Sequence, residues 1–370
     1  MARDFASRQI APIAREIDRD AKFPEDIVKA MAPLGLLGAS IPPEYGGQGI
    51  DHIGCAIIAE EIARHCSSIA ISIIGAHAVV GEIINKWGTE AQKKAHLPGM
   101  CKGDVFSCCA LDEPNIGSNT AGITNLAIFD GDQWVFKGTN KAVINGGVSS
   151  LALVFAETDT GDIGAFLVER NSSGLLSKDI PYKVGLRPCN IAELTLDNCR
   201  VSQDNVLGRI GEGSMIAETA LDNVHFGLGA ACIGILQACL DAAVTYARER
   251  QAFGNFIGSY HMVQELIADI AVGLQAGRWL VYHVGDLKNK KQPFTKEAAT
   301  AKHFTSETTT QAAINAMQVH GASGYTSEYP MERYLRDANT IALLGGTSLR
   351  HKLMIAGPMI GFDPFQGIPA

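Results

Sequence analysis

The feature that most constrains this chain of 370 residues is a change of hydrophobic period that happens twice. In the first hundred residues, Ile10, Ile13, Ala14 and Ile17 recur at three- and four-residue steps, with Arg15, Glu16 and Asp18 on the other side. Two prolines and three glycines break the pattern between Ile41 and Gly49. The stretch 51–87 is strongly apolar with a helical period, which predicts a buried helix pair or one long interrupted helix. Then the period shortens. Gln133–Phe136, Ser150–Phe155, Gly164–Val168 and Ala192–Leu196 are short β-branched and aromatic runs. Asp130-Gly131-Asp132 and Asp159-Thr160-Gly161-Asp162 are turn signals between such runs. After that the helical step returns: Leu221, Val224, Leu228, Cys232, Ile235 and Cys239 form one stripe, and Val263, Ile267 and Ile270 another. A pattern with one period cannot bury its apolar face in the other element. The order therefore predicts an α+β chain: a helical domain over 1–100, an antiparallel β-domain over 101–208 and a helical domain over 209–370.

Composition narrows the function. Hydrophobic residues at 46% and charged residues at 19% suit a compact chain with a large core. A net charge of −8 gives no basic footprint for nucleic acid. The nine cysteines show no CxxC and no metal-ligand pairing; only Cys108-Cys109 are adjacent. That predicts reduced thiols in a cytoplasmic protein and no metal. No apolar run reads as long enough to span a membrane, and Met1 to Ala6 lacks the apolar block of a signal peptide, so no membrane attachment is expected.

One stretch carries chemistry, Tyr246 to Asp269. A helix arrives at Arg250, the chain turns through Gly254 and Gly258, and a second helix leaves near Tyr260. Arg250 and Phe253, three apart on a helix end, face the same way. A planar cation beside an apolar plate suits a flat anionic ligand such as a dinucleotide. It is equally the surface of an ordinary helical hairpin, and these residues alone leave both readings open.

Further segments run the length of the chain: Ile10-Ala11-Pro12-Ile13-Ala14, Gly35-Leu36-Leu37-Gly38, Ile41-Pro42-Pro43-Glu44-Tyr45-Gly46-Gly47, Trp87-Gly88-Thr89-Glu90, Glu113-Pro114-Asn115-Ile116-Gly117-Ser118, Gln318 to Tyr325 and Tyr334-Leu335-Arg336-Asp337. Their order and spacing resemble the acyl-CoA dehydrogenase family. The resemblance implies that family's fold, with a C-terminal four-helix bundle, and an FAD-dependent oxidation of an acyl thioester between its α and β carbons. It implies FAD contacts at Arg250, Phe253, His261, Gln318, Gly321, Gly324, Thr347, Ser118 and Leu111, the first two reaching the FAD of a neighbouring subunit, and hence a homodimer or homotetramer.

Several positions depart from the family pattern. Gly345 stands where many members carry the catalytic glutamate, and Val224 where a second subgroup carries it. Ala142 and Ile144 replace a tryptophan and a threonine beside the flavin, and Asp112 and Leu349 replace a threonine and a glutamine. A missing general base typically costs about 10²- to 10⁴-fold in rate. Substitutes are His225, in the place of an arginine beside the substrate, and Asp222, matching an aspartate on the pantetheine arm. Asp112 and His77 are further titratable groups nearby, and a buried structural role is open to each. The segments Arg64–Ser68 and Ala231–Cys239 resemble the dehydrogenases of polyketide and nonribosomal peptide clusters, which act on substrates held by an acyl carrier protein rather than CoA. The net charge of −8 gives no support for docking an acidic carrier by bulk charge; Lys288-Asn289-Lys290-Lys291 is a local basic patch, read first as a solvated helix end and only then as a docking site. The expectation is an FAD-dependent oxidoreductase on a carrier- or CoA-bound acyl thioester, serving extender-unit synthesis without the usual glutamate. The alternative is a protein of this fold that has lost flavin chemistry, acting as a partner subunit or a non-redox enzyme.

Overall fold

The computed structural model describes residues 1–113 and 123–361. Three short helices, Ala2–Phe5, Ala14–Asp20 and Glu25–Met31, lead into α1 (His52–Ala63), which Asp51 caps by accepting the N–H of Gly54 at 2.7 Å. A break at Arg64–Cys66 separates α1 from one apolar column: Ser67–Ala70, a π-helical segment Ile71–His77, and α2 (Ala78–Trp87). The stretch read as a pair or an interrupted helix is thus both. Thr89 and Gln92 then form a reciprocal capping box that starts α3 (Glu90–Lys102).

Eight strands follow: β1 (Ser107–Ala110), β2 (Leu126–Asp130), β3 (Gln133–Ile144), β4 (Leu151–Thr158), β5 (Ile163–Glu169), β6 (Leu175–Asp179), β7 (Ile191–Ser202) and β8 (Val206–Leu207). The four predicted runs lie in β3, β4, β5 and β7. The sheet is mixed, which corrects the antiparallel expectation: β4 runs parallel to both β1 and β2, while its other neighbour β5 is antiparallel. Local turns announce hairpins, whereas a parallel pair is closed by tertiary contacts that leave no turn signal. Strand β4 is buried on both faces because it divides two cores. Leu151, Leu153 and Phe155 join the helical core, and Ala152, Val154 and Ala156 join the core inside the β-domain. In the latter, Phe136 and Phe166 meet edge to face at 4.8 Å.

The last third is helical. Helix α4 (Gly213–Glu249) runs for 37 residues; then come a hairpin of β9 (Gln251–Ala252) and β10 (Asn255–Phe256), α5 (His261–Asn289), α6 (Thr295–His320), α7 (Met331–Leu343) and α8 (Ser348–Ile360). The column Ser67–Trp87 and α4 are long and apolar enough to cross a membrane, contrary to the sequence reading, but 89% and 72% of their most apolar windows are buried inside the protein. They are core helices.

Candidate functional site

A cleft of about 50 Å³ opens where all three domains meet. Its walls are Gly75 and Ala76 from the π-helical segment, Cys109 of β1, Leu111 and Asp112 just after it, Lys141 to Ile144 of β3, Leu221 and Val224 of α4, and Leu344 and Gly345. The π-helical turn suits such a place, since these segments gather at functional sites. Strand β3 is irregular here: its register with β7 shifts between Asn140 and Val143, and Ala142 sits at φ +51°. A side chain in that left-handed region is uncommon, and alanine is among the smallest that adopts it.

The two seats that the resemblance gives to the base converge on one spot. A Cβ built on Gly345 would lie 3.4 Å from Val224 and 3.2 Å from the His225 ring. Gly345 and Gly346 have φ values of +64° and +103°, so the loop has taken a shape that favours glycine. It is gripped from behind. Lys302 donates to the carbonyls of Ala342 and Gly346, both at 3.0 Å. His225 Nε2 donates to the Gly345 carbonyl at 2.7 Å, and His351 Nδ1 donates to that of Thr347 at 2.8 Å. The two imidazoles meet edge to face at 4.7 Å. Burial holds His225 far below its ordinary pKa and takes His351 down to about 3. Burial also lowers Lys302, to about 8, leaving it charged at neutrality. Lys302 and His351 escaped the sequence reading; the one signal for Lys302 was a charge on the otherwise small and apolar face of Ala298, Ala301 and Thr305.

The candidate catalytic residues fall outside this wall. Among the described residues lining the cleft, neither His225 nor Asp222 appears, although Leu221 and Val224 do. His225 is fully buried, with Nε2 committed to Gly345 and Nδ1 without a hydrogen-bond partner. Asp222 accepts from Thr295 Oγ1 at 2.5 Å, and burial raises it to about 6. His77 is also interior: it stacks on Phe106 at 4.9 Å, its Nδ1 accepts the Ser107 N–H, and burial lowers it to about 4.

The cofactor candidates divide into two groups. Leu111 lines the cleft, and Thr347 caps α8 close by. Arg250, Phe253 and His261 lie at the far end of α4, as do Gln318, Gly321 and Gly324, because Tyr246 stacks on His320 at 4.3 Å and bonds Ser323. Val224 and Arg250 are 26 residues apart on α4, about 39 Å along the helix axis. The helix-end geometry expected for Arg250 and Phe253 does not form. Arg250 is extended, and Phe253 sits at φ +52° on the hairpin with 94% of its surface exposed. Both nonetheless project from one exposed tip. Gly321 (φ +55°, ψ −133°) ends α6 with open space where a Cβ would be, so its backbone is accessible to a phosphate. Gly324 is needed for packing instead: a Cβ would come within 2.6 Å of the Met317 carbonyl. Gln318 and His261 are exposed, and Ser118 lies outside the described residues. The basic patch dissolves: Lys288 is buried against Glu82 at 3.0 Å and Asn223 at 2.8 Å, and Lys290 pairs with Asp286 at 2.7 Å. All nine cysteines are free thiols.

Family models of the acyl-CoA dehydrogenase N-terminal, middle and C-terminal domains match residues 1–104, 108–199 and 211–359. The chain is 38% identical over 362 residues to the short-chain specific mitochondrial acyl-CoA dehydrogenase of Homo sapiens, covering 97% of this chain and 88% of that one. Butyryl-CoA dehydrogenase from Megasphaera elsdenii superposes with a TM-score of 0.94 at 30% identity, covering 97% of this chain and 96% of that one. The prolyl acyl carrier protein oxidase AnaB superposes equally well, with a TM-score of 0.94 at 29% identity, covering 98% and 97%.

Proposed function

The chain belongs to the acyl-CoA dehydrogenase family of FAD-dependent oxidoreductases acting on acyl thioesters, and from that premise we propose that it oxidises a short acyl group without the family's usual glutamate. The observation that carries this reading is the three-domain cleft, in which Gly345 and Val224 share one wall and neither offers a base. The likeness to the short-chain specific acyl-CoA dehydrogenase and to butyryl-CoA dehydrogenase supports a compact acyl group. The carrier is CoA or an acyl carrier protein, in extender-unit synthesis. The likeness to the prolyl acyl carrier protein oxidase supports the latter, and the loss of the Lys288 patch weakens docking there.

The residues present fit FAD. Bare backbone at Gly321, a planar cation at Arg250 and an uncovered ring at Phe253 suit a phosphate-bearing aromatic ligand, and Ala142 and Ile144 leave an apolar slot in the cleft. The about 39 Å between these places is why we infer a dimer or tetramer, in which one copy's hairpin completes another's cleft. Phe253, Met262, Val272 and Trp279 leave apolar surface along the hairpin and α5 for such a partner. When bound, FAD supplies the two-electron acceptor. Leu221, Val224 and Leu344 give the cleft apolar walls against which an acyl group would pack. Lys302 and His225 fix the glycine loop against which the thioester would lie. The cytoplasmic assignment agrees with nine unpaired thiols.

The visible absorption spectrum tests the reading. A flavin band that survives gel filtration and bleaches with a short acyl-CoA or acyl carrier protein thioester is expected. A protein that stays colourless after FAD is added would favour the alternative, a partner subunit or a non-redox enzyme, to which Ala142 and Ile144 also point.

A further inference from the structure

We propose that Asp112 is the group that removes the substrate's α-proton, an assignment that rests on the flavoprotein reading above. Asp112 supplies the one carboxylate among the described residues that line the cleft shared by Gly345 and Val224. The other polar groups there are committed. Lys141 pairs with Glu193, and burial pushes the Cys109 thiol far above its ordinary pKa, so it stays protonated. His225 and Asp222 stand outside the lining, held by Gly345 and Thr295.

The backbone aims Asp112 into the cleft. Its carbonyl accepts the N–H of Lys141 at 2.8 Å and Asn140 Nδ2 at 3.4 Å, which fastens it to the irregular part of β3. The next residue, Glu113, points into the β-domain, where its carboxylate accepts the N–H groups of Thr124 at 2.8 Å and Asn125 at 3.0 Å. Glu113 is thereby turned away, while Asp112 itself lines the cavity. Ala142 keeps that space open. Asp112 keeps an exposed side to solvent at the cleft; partial desolvation raises its carboxyl above its ordinary pKa, and the attraction of Arg350, which is 5% exposed, opposes the shift. A carboxylate on the cleft lining is the kind of group that general-base proton removal uses.

The step balances. A carboxylate oxygen of Asp112 bonds to the α-hydrogen as a proton, and the electron pair of that C–H bond becomes the new carbon–carbon π bond. The β-hydrogen leaves with its own electron pair, for which FAD is the oxidant. Product release returns the proton to water.

The test separates base from cofactor. Acetyl-pantetheine has α-hydrogens and no β-hydrogen, so it exchanges without being oxidised, and it is the part that CoA and a carrier protein share. The FAD-bound protein in ²H₂O, followed by mass spectrometry, should exchange the α-hydrogens. Asp112→Asn should slow exchange by ~10²-fold or more while keeping FAD content and thioester binding. Asp112→Glu should restore part of the rate with a shifted pH profile. Exchange by Asp112→Asn within about threefold of the parent overturns the assignment and leaves the flavoprotein reading standing. A parent protein that neither exchanges acetyl-pantetheine nor bleaches with any thioester overturns both.

Discussion

At the scale of the residue, Gly345 decides what mutation can restore. Placing glutamate there sets a side chain at φ +64°, with its Cβ 3.2 Å from His225. Such a backbone position costs about 1–3 kcal/mol. Gly345→Glu is therefore expected to lower the melting temperature by several degrees and to leave turnover unrestored. A melt and a rate measurement on the same sample check it. His225 is the opposite case. Its bond to the Gly345 carbonyl makes it a positioning residue, and because it stays neutral through the working range, His225→Gln should shift no limb of the pH–rate profile. A loss of one limb would return His225 to the role the sequence suggested.

At the scale of the element, the glycine loop and the hairpin are the two adjustable parts. The loop keeps its shape because α4, α6 and α8 each send a side chain to its carbonyls. Removing one partner of a buried hydrogen bond costs about 1–3 kcal/mol, and Lys302 serves two. Lys302→Met should thus destabilise the chain more than any single histidine change in this cluster. The hairpin backbone is held by the Tyr260 hydroxyl, which donates to the Ala252 carbonyl at 2.8 Å, but the Phe253 ring stands exposed, with Tyr260 at 6.4 Å. Phe253→Ala is expected to leave the protomer's melt unchanged while weakening FAD retention and subunit association on gel filtration. An unaltered elution volume and FAD content would remove the hairpin from the shared site.

At the scale of the whole molecule, burial of neutral histidines sets the acid limit. Folding takes His77 to about 4 and His351 to about 3, below the ~6.5 of an unfolded chain. The unfolded state then binds more protons below pH 6.5, so this stability is intact above that value and drains away as pH falls towards 4. Each group contributes about 1–2 kcal/mol of loss at pH 5. Asp222, raised to about 6, works the other way and offsets part of it. Melts at pH 7.5 and pH 5 should show a clear drop, and His351→Gln should flatten it. Equal melts would mean that these imidazoles are solvated.

The period changes along the chain determined the α, β, α order, because burying a face at one period excludes the other element. Motif spacing sufficed for the family, and the departures at Gly345, Val224, Ala142 and Asp112 were legible as single letters. What those departures do was not legible. A residue's neighbours across the chain, such as Lys302 behind Gly346 or β4 alongside β1, arise from tertiary packing that no local period encodes. Three-apart spacing also misplaced Arg250 and Phe253, since the helix ends at Glu249 and a left-handed turn carries the ring. The sequence named the groups that could carry a proton. Only the packing of three domains around one cleft decided that His225 and Asp222 stand behind its wall and Asp112 in front of it.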